Sequence, residues 1–231
     1  MGQHHPSFSD IAFFVNYAYS HNFVDDHLGR IHVFHSRTDK TDVYVQELDR
    51  DLLHEQVFEI ANDKYDYHHP FLLHIFNYIV VRGETMNQAM GKNFSDDFFG
   101  REDHIGLIIM EAFQSDLSSD IRKRSHNKRP FTETELWDMA DQMIKALAYL
   151  QLQGVPHKSV SITKMLNCNG VYKMNYVQPV INAAVYKKDI WGSNYKKDLK
   201  ALGLALLTAT NLGTPGLDLS DNILHAGRSY S

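Results

Sequence analysis

With 231 residues, 43% hydrophobic and 22% charged, the chain has ordinary globular composition and length for a sizeable core, and its formal charge of −5 gives no general attraction to nucleic acid or anionic membranes. Its single cysteine, Cys168, excludes an internal disulfide and a cysteine-based zinc site, which fits a reducing compartment. The first residues, Met1-Gly2-Gln3-His4-His5-Pro6-Ser7, lack the basic and apolar regions of a signal peptide, and the apolar run Ile11–Tyr19 is too short to span a bilayer, so a cytoplasmic location is expected.

In chain order, Phe23 to Glu47 alternates with the two-residue rhythm of strands, Ile31 and Val33 on one side, His32 and Phe34 on the other, then Val43 and Val45. This predicts a small antiparallel sheet. Leu52, Leu53, Val57, Phe58 and Ile60 recur at helical spacing over Asp49–Lys64, before the turn signal Tyr67-His68-His69-Pro70. A strand pair, Leu73–Val81 and Ile105–Met110, brackets a Gly- and Asp-containing connection from Gly83 to Asp103 that reads as a loop. Beyond Phe113 the pattern turns helical. A short helix is predicted over Asp116–Arg124, and a long one starts at Thr132, with Glu135 in capping-box spacing and an apolar stripe of Leu136, Met139, Met143, Ile144, Leu147 and Leu150, stopping at Gly154. A last helix, Lys196–Thr210, is nearly all apolar from Ala201 to Leu207 and is expected deep in the core.

Between the last two helices lies His157-Lys158-Ser159-Val160-Ser161-Ile162-Thr163-Lys164, followed by the hairpin signal Asn169-Gly170-Val171-Tyr172-Lys173-Met174. This stretch resembles the catalytic loop of protein kinases, H-R-D-x-x-x-x-N, in which the Asp takes the substrate hydroxyl proton and the Asn holds magnesium. Ser159 and Lys164 stand in those two places. A serine is no general base unaided, and an ammonium repels a divalent cation.

The resemblance extends, in order, over roughly residues 20 to 210. The glycine-rich loop falls on Val24-Asp25-Asp26-His27-Leu28-Gly29-Arg30-Ile31, where only the last glycine is kept and Asp26 adds negative charge where phosphates would lie. Fifteen residues after Ile31, Gln46 of Val43-Tyr44-Val45-Gln46 replaces the phosphate-binding lysine, and Glu59 corresponds to that lysine's helix glutamate, a partner for the Gln46 amide. Met110-Glu111-Ala112-Phe113 resembles the linker between lobes. Tyr176-Val177-Gln178 falls on the metal-binding D-F-G, with a phenol in place of the carboxylate. Asp198-Leu199-Lys200-Ala201-Leu202-Gly203 resembles the D-x-W-S-L-G that opens the family's central helix, its structural Asp kept. His157 is expected to pack beneath the loop.

The resemblance implies an α+β, two-lobed protein kinase-like fold: an N-terminal extension over 1–20, an N-lobe over 21–113 and a C-lobe over 114–231. The short segment to Ala184-Val185-Tyr186, and the twenty residues left after Asn211, imply a C-lobe truncated at its substrate-binding end, with a partner or the tail Leu217–Leu224 covering the last helix. The implied function is that of a pseudokinase: no catalytic residues, cofactor or metal, and a scaffolding or structural role in a larger assembly, the cytoskeleton among the candidates. The alternatives are a regulatory module that binds nucleotide without metal, and a residually active atypical serine/threonine kinase.

Two further features stand outside the resemblance. The fourteen histidines invite a metal reading, but His54-Glu55 lacks the second histidine of H-E-x-x-H, with Phe58 in its place, and solvated or core histidines are expected. Arg122, Lys123, Arg124, Lys128 and Arg129 put five cations in eight residues, a solvated loop or a contact for an acidic partner such as RNA phosphate or a protein tail.

Overall fold

The computed structural model describes residues 10–25, 27–48, 67–91, 99–100, 104–177 and 195–211. It is a mixed α+β structure with antiparallel strand pairing. The chain divides into two compact units, Met1–Ala112 with Val177–Asp189, and Phe113–Tyr176 with Ile190–Ser231.

In the first unit a short helix, α1 (Asp10–Asn16), leads into the strands β1 (Tyr17–Asp25), β2 (Gly29–Ser36), β3 (Asp42–Glu47), β4 (Ile75–Arg82) and β5 (His104–Glu111). They form one sheet in the order β1-β2-β3-β5-β4, every neighbouring pair antiparallel. The β2–β3 register pairs Ile31 with Gln46 and Phe34 with Val43, so the spacing read along the sequence is the hairpin's own pairing. Phe34, Val43, Val45, Ile79, Val81, Leu107 and Ile109 fill the core on one face together with Phe13, Met86 and Phe99. β5 is buried continuously from Ile105 to Met110, so both of its faces are covered, as expected of an interior strand.

The connection after β4 departs from expectation. Gly83–Ala89 is a helix, α2, rather than loop. Gly83 reads as a breaker, yet its role is close approach: a Cβ there would lie 2.0 Å from the carbonyl oxygen of Gly100. Asn87 on the same helix donates to the carbonyl of Phe99 at 2.9 Å and accepts from its N–H at 3.3 Å, so this short helix is fastened by a side chain that satisfies a buried backbone. The helix expected over Asp49–Lys64 lies outside the described residues.

The second unit opens with β6 (Ser115–Asp116), which joins β7 (Met165–Cys168) and β8 (Val171–Met174) in a three-stranded antiparallel sheet. Among the described residues three helices accompany it: α3 (Leu117–His126), α4 (Glu133–Leu152) and α5 (Tyr195–Thr210). Asp116 caps α3 by accepting from the Ser119 N–H at 2.6 Å, and Thr132 and Glu135 form the capping box anticipated for α4. The buried stripe of α4 is Met139, Ala140, Met143, Ala146, Leu147 and Leu150, whereas Ile144, assigned to it by periodicity, is exposed.

α5 also corrects an expectation. Asp198, Leu202, Ala205 and Ala209 are buried along one stripe, while Leu199, Leu204 and Leu207 are 52%, 51% and 55% exposed. The helix packs on α4 along that stripe and is not sunk in the core. Its apolar composition overstated the number of its neighbours. Among the described residues no helix is long and apolar enough to cross a membrane.

Candidate functional site

The segment from His157 to Lys164 connects the end of α4 to β7 and has no regular structure of its own, so its shape depends on side chains brought from elsewhere. The main one is Asp198, in the first turn of α5. Its Oδ2 accepts from the backbone N–H of His157 at 2.8 Å, and its Oδ1 from that of Lys158 at 2.7 Å. The carboxyl is buried, and burial raises its pKa while the two N–H groups pull the other way. Lys158 takes a left-handed conformation, φ +62°, which a non-glycine residue adopts at a cost and which the two bonds to Asp198 hold in place.

His157 is the second tie. Its ring is 1% exposed, and Nε2–H donates to the carbonyl oxygen of Asn175 at 2.8 Å. A carbonyl can only accept, so Nε2 carries the proton, and Nδ1 is left as the acceptor that faces the Ser159 N–H at 3.3 Å. A second ring proton would have to point at that donor. Burial pushes the histidine down to about 4, against the help of the Asn175 carbonyl, and Lys164 adds a smaller push in the same direction. Asn175 closes the loop's far end as well, by donating its N–H to the carbonyl of Lys164 at 2.8 Å.

This frame brings together His157, Ser159, Lys164 and Tyr176 from the sequence reading. Ser159 is exposed, its hydroxyl 3.4 Å from Nδ1 and 3.5 Å from the carbonyl oxygen of His157. Burial that disfavours the charged ring makes the imidazole a weaker base, and 3.4 Å is long for a serine–base hydrogen bond. Tyr176 is 1% exposed, so its phenol is a packed core group. Lys164 is partly buried.

A second polar hub braces the same sheet and has no counterpart in the sequence reading. Asp120 on α3 accepts from Ser115 Oγ at 2.7 Å, Asn167 Nδ2 at 3.0 Å and the Tyr172 hydroxyl at 2.6 Å. Burial, and then the bond to Asp120, push the Tyr172 phenol well above its ordinary range, so it is a permanent donor. No local signal marks this hub, whose members come from distant strands.

In the first unit, the segment equated with a glycine-rich loop is the tight β1–β2 hairpin. Asp25 Oδ1 accepts from the backbone N–H groups of both His27 and Leu28 at 2.8 Å, the local turn that aspartate favours. Two N–H groups of the hairpin are thus already held by a carboxylate. Gln46 is buried and donates from Nε2 to the carbonyl of Leu28 at 2.8 Å, which ties β3 to the hairpin tip. Its Oε1 has no hydrogen-bond partner among the described residues. Met110 is completely buried within β5. Glu59, Asp26, Gln178 and Ala184–Tyr186 lie outside the described residues.

Elsewhere, His32 is fully buried and donates from Nε2 to Glu47 at 2.5 Å, a core histidine with a satisfied donor. Cys168 is a buried thiol. Among the described residues no group of three or more His, Cys, Asp or Glu side chains is placed to hold a metal. No protein-family model matches the chain, and no curated protein matches its sequence.

Proposed function

We propose that this chain is a degenerate protein kinase-like protein, without phosphotransfer activity, that serves as a scaffolding or structural subunit of a larger intracellular assembly. The observation that carries the reading is the combination found in the second unit. A buried aspartate in the first turn of α5 and a buried histidine hold the His157–Lys164 loop in a fixed shape. Yet the positions that should carry a base and a metal ligand present a hydroxyl, an ammonium and a buried phenol. Maintaining a demanding frame without its chemistry suits a surface that is read by a partner.

The hairpin supports the same reading from the other unit. Phosphoryl transfer depends on positioning and electrostatics, and the first requirement is a cradle of cations and unengaged N–H groups for the phosphates. Here Asp25 occupies two such N–H groups, and Gln46 offers an amide already committed to Leu28.

The test uses purified full-length chain with labelled ATP, Mg²⁺ or Mn²⁺ and generic protein substrates, alongside thermal denaturation with millimolar ATP. No transfer above buffer and an unchanged melting temperature are expected. A ligand present at about 1,000 times its Kd would stabilise by about 4 kcal/mol, an effect readily seen. Transfer that disappears in Ser159→Ala or Lys164→Ala would overturn the reading. Cross-linking mass spectrometry in native extract addresses the scaffolding half, with a reproducible set of cross-linked neighbours as the expected result.

A further inference from the structure

We propose that the α3–α4 corner is a docking surface for an acidic segment of a protein partner. Four cations are displayed there, Arg122 and Lys123 on the last turns of α3, Lys128 and Arg129 on the turn beyond it, and all four are exposed. Arg124, the fifth basic residue, has a different task. Its guanidinium forks onto Glu135 at 2.6 and 3.1 Å and lies 4.0 Å over the ring of Phe131, which fixes the end of α3 to the start of α4.

The neighbouring acids are also committed. Asp116 caps α3, Asp120 is held by Ser115, Asn167 and Tyr172, Glu133 accepts from the Trp137 indole at 3.3 Å, and Glu135 serves Arg124 and Thr132. Among the described residues, Arg122 bonds only to Ser119 Oγ at 3.1 Å, and no acid pairs with Lys123, Lys128 or Arg129. Among the described residues these four cations therefore have no ion-pair partner.

The backbone adds a second observation. Lys128 has φ +51°, and the bonds from Lys128 N–H to Ser125 and from Arg129 N–H to Arg124 form the reverse turn that ends many helices with glycine at the left-handed position. A lysine is strained there. Complementing the helix dipole does not require it, because Lys123, Arg124 and His126 already lie in the last turn of α3. A rigid corner thus holds a lysine head where glycine would be easier, which fits a charge kept for recognition.

An acidic peptide is the occupant this chemistry suits. Nucleic-acid binding draws on a run of phosphate contacts with stacking aromatics, but no Phe, Tyr or Trp lies between Arg122 and Arg129. A short run of Asp or Glu needs only local complementarity, and the two arginines can take carboxylates bidentately. This inference does not depend on the kinase-like reading.

The experiment is fluorescence anisotropy of the full chain with a fluorescein-labelled oligoglutamate peptide, at low and at physiological salt. Binding that weakens with salt is expected. Lys128→Gly removes a charge while relieving the backbone, so it should raise the melting temperature and weaken the peptide by about two- to fivefold. The triple change Lys123→Glu, Lys128→Glu, Arg129→Glu should weaken it by on the order of tenfold or more, and Lys196→Glu with Lys197→Glu on α5 by less than about twofold. Absence of peptide binding, indifference to the first two variants, or tighter binding of single-stranded RNA or phosphatidylserine vesicles under the same conditions would each overturn the proposal.

Discussion

Two aspartates in this protein do the same chemistry in opposite settings. Asp198 and Asp25 each accept two successive backbone N–H groups, of His157 and Lys158 in one case and of His27 and Leu28 in the other, all at 2.7–2.8 Å. Asp198 reaches across 41 and 40 residues of sequence and is buried, whereas Asp25 reaches across two and three and sits on a hairpin tip. The contrast separates a tie that specifies tertiary structure from one that only shapes a turn. Each pair has one donor on a buried residue, His157 or Leu28, and one on an exposed residue, Lys158 or His27, so the difference lies in the acceptor: Asp198 is buried and joins distant segments, whereas Asp25 is half-buried and joins near neighbours.

The largest effect is therefore expected from Asp198→Ala. Two charge-assisted bonds between distant segments are lost and the N–H of buried His157 is stranded, a loss of about 3–5 kcal/mol. Urea unfolding followed by circular dichroism measures it. Asp198→Asn should recover part of the loss, because one amide oxygen can still accept while the NH₂ faces the second donor. A loss under about 1 kcal/mol for Asp198→Ala would remove the distinction between the two aspartates.

His157 sharpens the comparison through pH. Its folded pKa of about 4 lies below the ordinary 6.5, so the unfolded chain binds the extra proton first. The stability contributed by the neutral ring is fully present above about 6.5 and is lost as pH falls towards about 4, on the order of 3 kcal/mol at about 1.4 kcal/mol per pH unit. Asp198 acts in the opposite sense. Its raised pKa makes its contribution greatest below the ordinary 3.8 and diminishing as pH rises through the folded value. The measurement is consequently the difference between the native chain and His157→Gln across this range, since glutamine can still donate to the Asn175 carbonyl but does not titrate. A difference that is flat between pH 4 and 6.5 would refute the assignment of a buried neutral histidine.

Glu135 falls between the extremes. It accepts locally from the Thr132 N–H at 2.7 Å and over eleven residues from Arg124, and these bonds hold its carboxyl down to about 2, the Arg124 bond foremost. Glu135→Ala should cost about 1–2 kcal/mol, the sum of a lost cap and a half-exposed fork. Glu135→Gln, which keeps an acceptor for the cap and weakens only the fork, should cost less, and thermal melts of the two variants separate the parts.

How much was legible in the sequence follows the same division between local and distant contacts. The Thr132–Glu135 box and the Ile31–Gln46 pairing were readable because each is set by short spacing within one element or hairpin. Asp198 and His157 were singled out only through the order of motifs, and nothing in the sequence named the Asn175 carbonyl that orients the ring. The Asp120 hub escaped notice because Asn167 and Tyr172 come from 47 and 52 residues away. Gly83 suggests a loop because glycine punctuates chains, but here it admits the Gly100 carbonyl beside a helix start. The apolar composition of α5 does not report how many neighbours the helix has, and Leu204 and Leu207 remain half exposed.

The smallest effect is expected at the other aspartate, and it tests function more than stability. Asp25→Ala should cost no more than about 1 kcal/mol, since the tie is local to the turn and the N–H of exposed His27 can turn to water once released. It also removes a negative charge from a place where a phosphate would otherwise be repelled. If Asp25 alone closed this hairpin to nucleotides, the variant would gain a melting-temperature rise with Mg-ATP. The expected outcome is no such rise. Freed N–H groups supply only part of a phosphate site, and β3 still presents Gln46, whose amide remains bonded to the Leu28 carbonyl and brings no cation. The paired variant Asp25→Ala, Gln46→Lys adds a cation, and it is in this chain that any gain of pyrophosphate or Mg-ATP binding should first be detected by titration calorimetry. A clear response already in Asp25→Ala would mean that one carboxylate, and not the combined loss of groups, keeps the first unit from binding nucleotide.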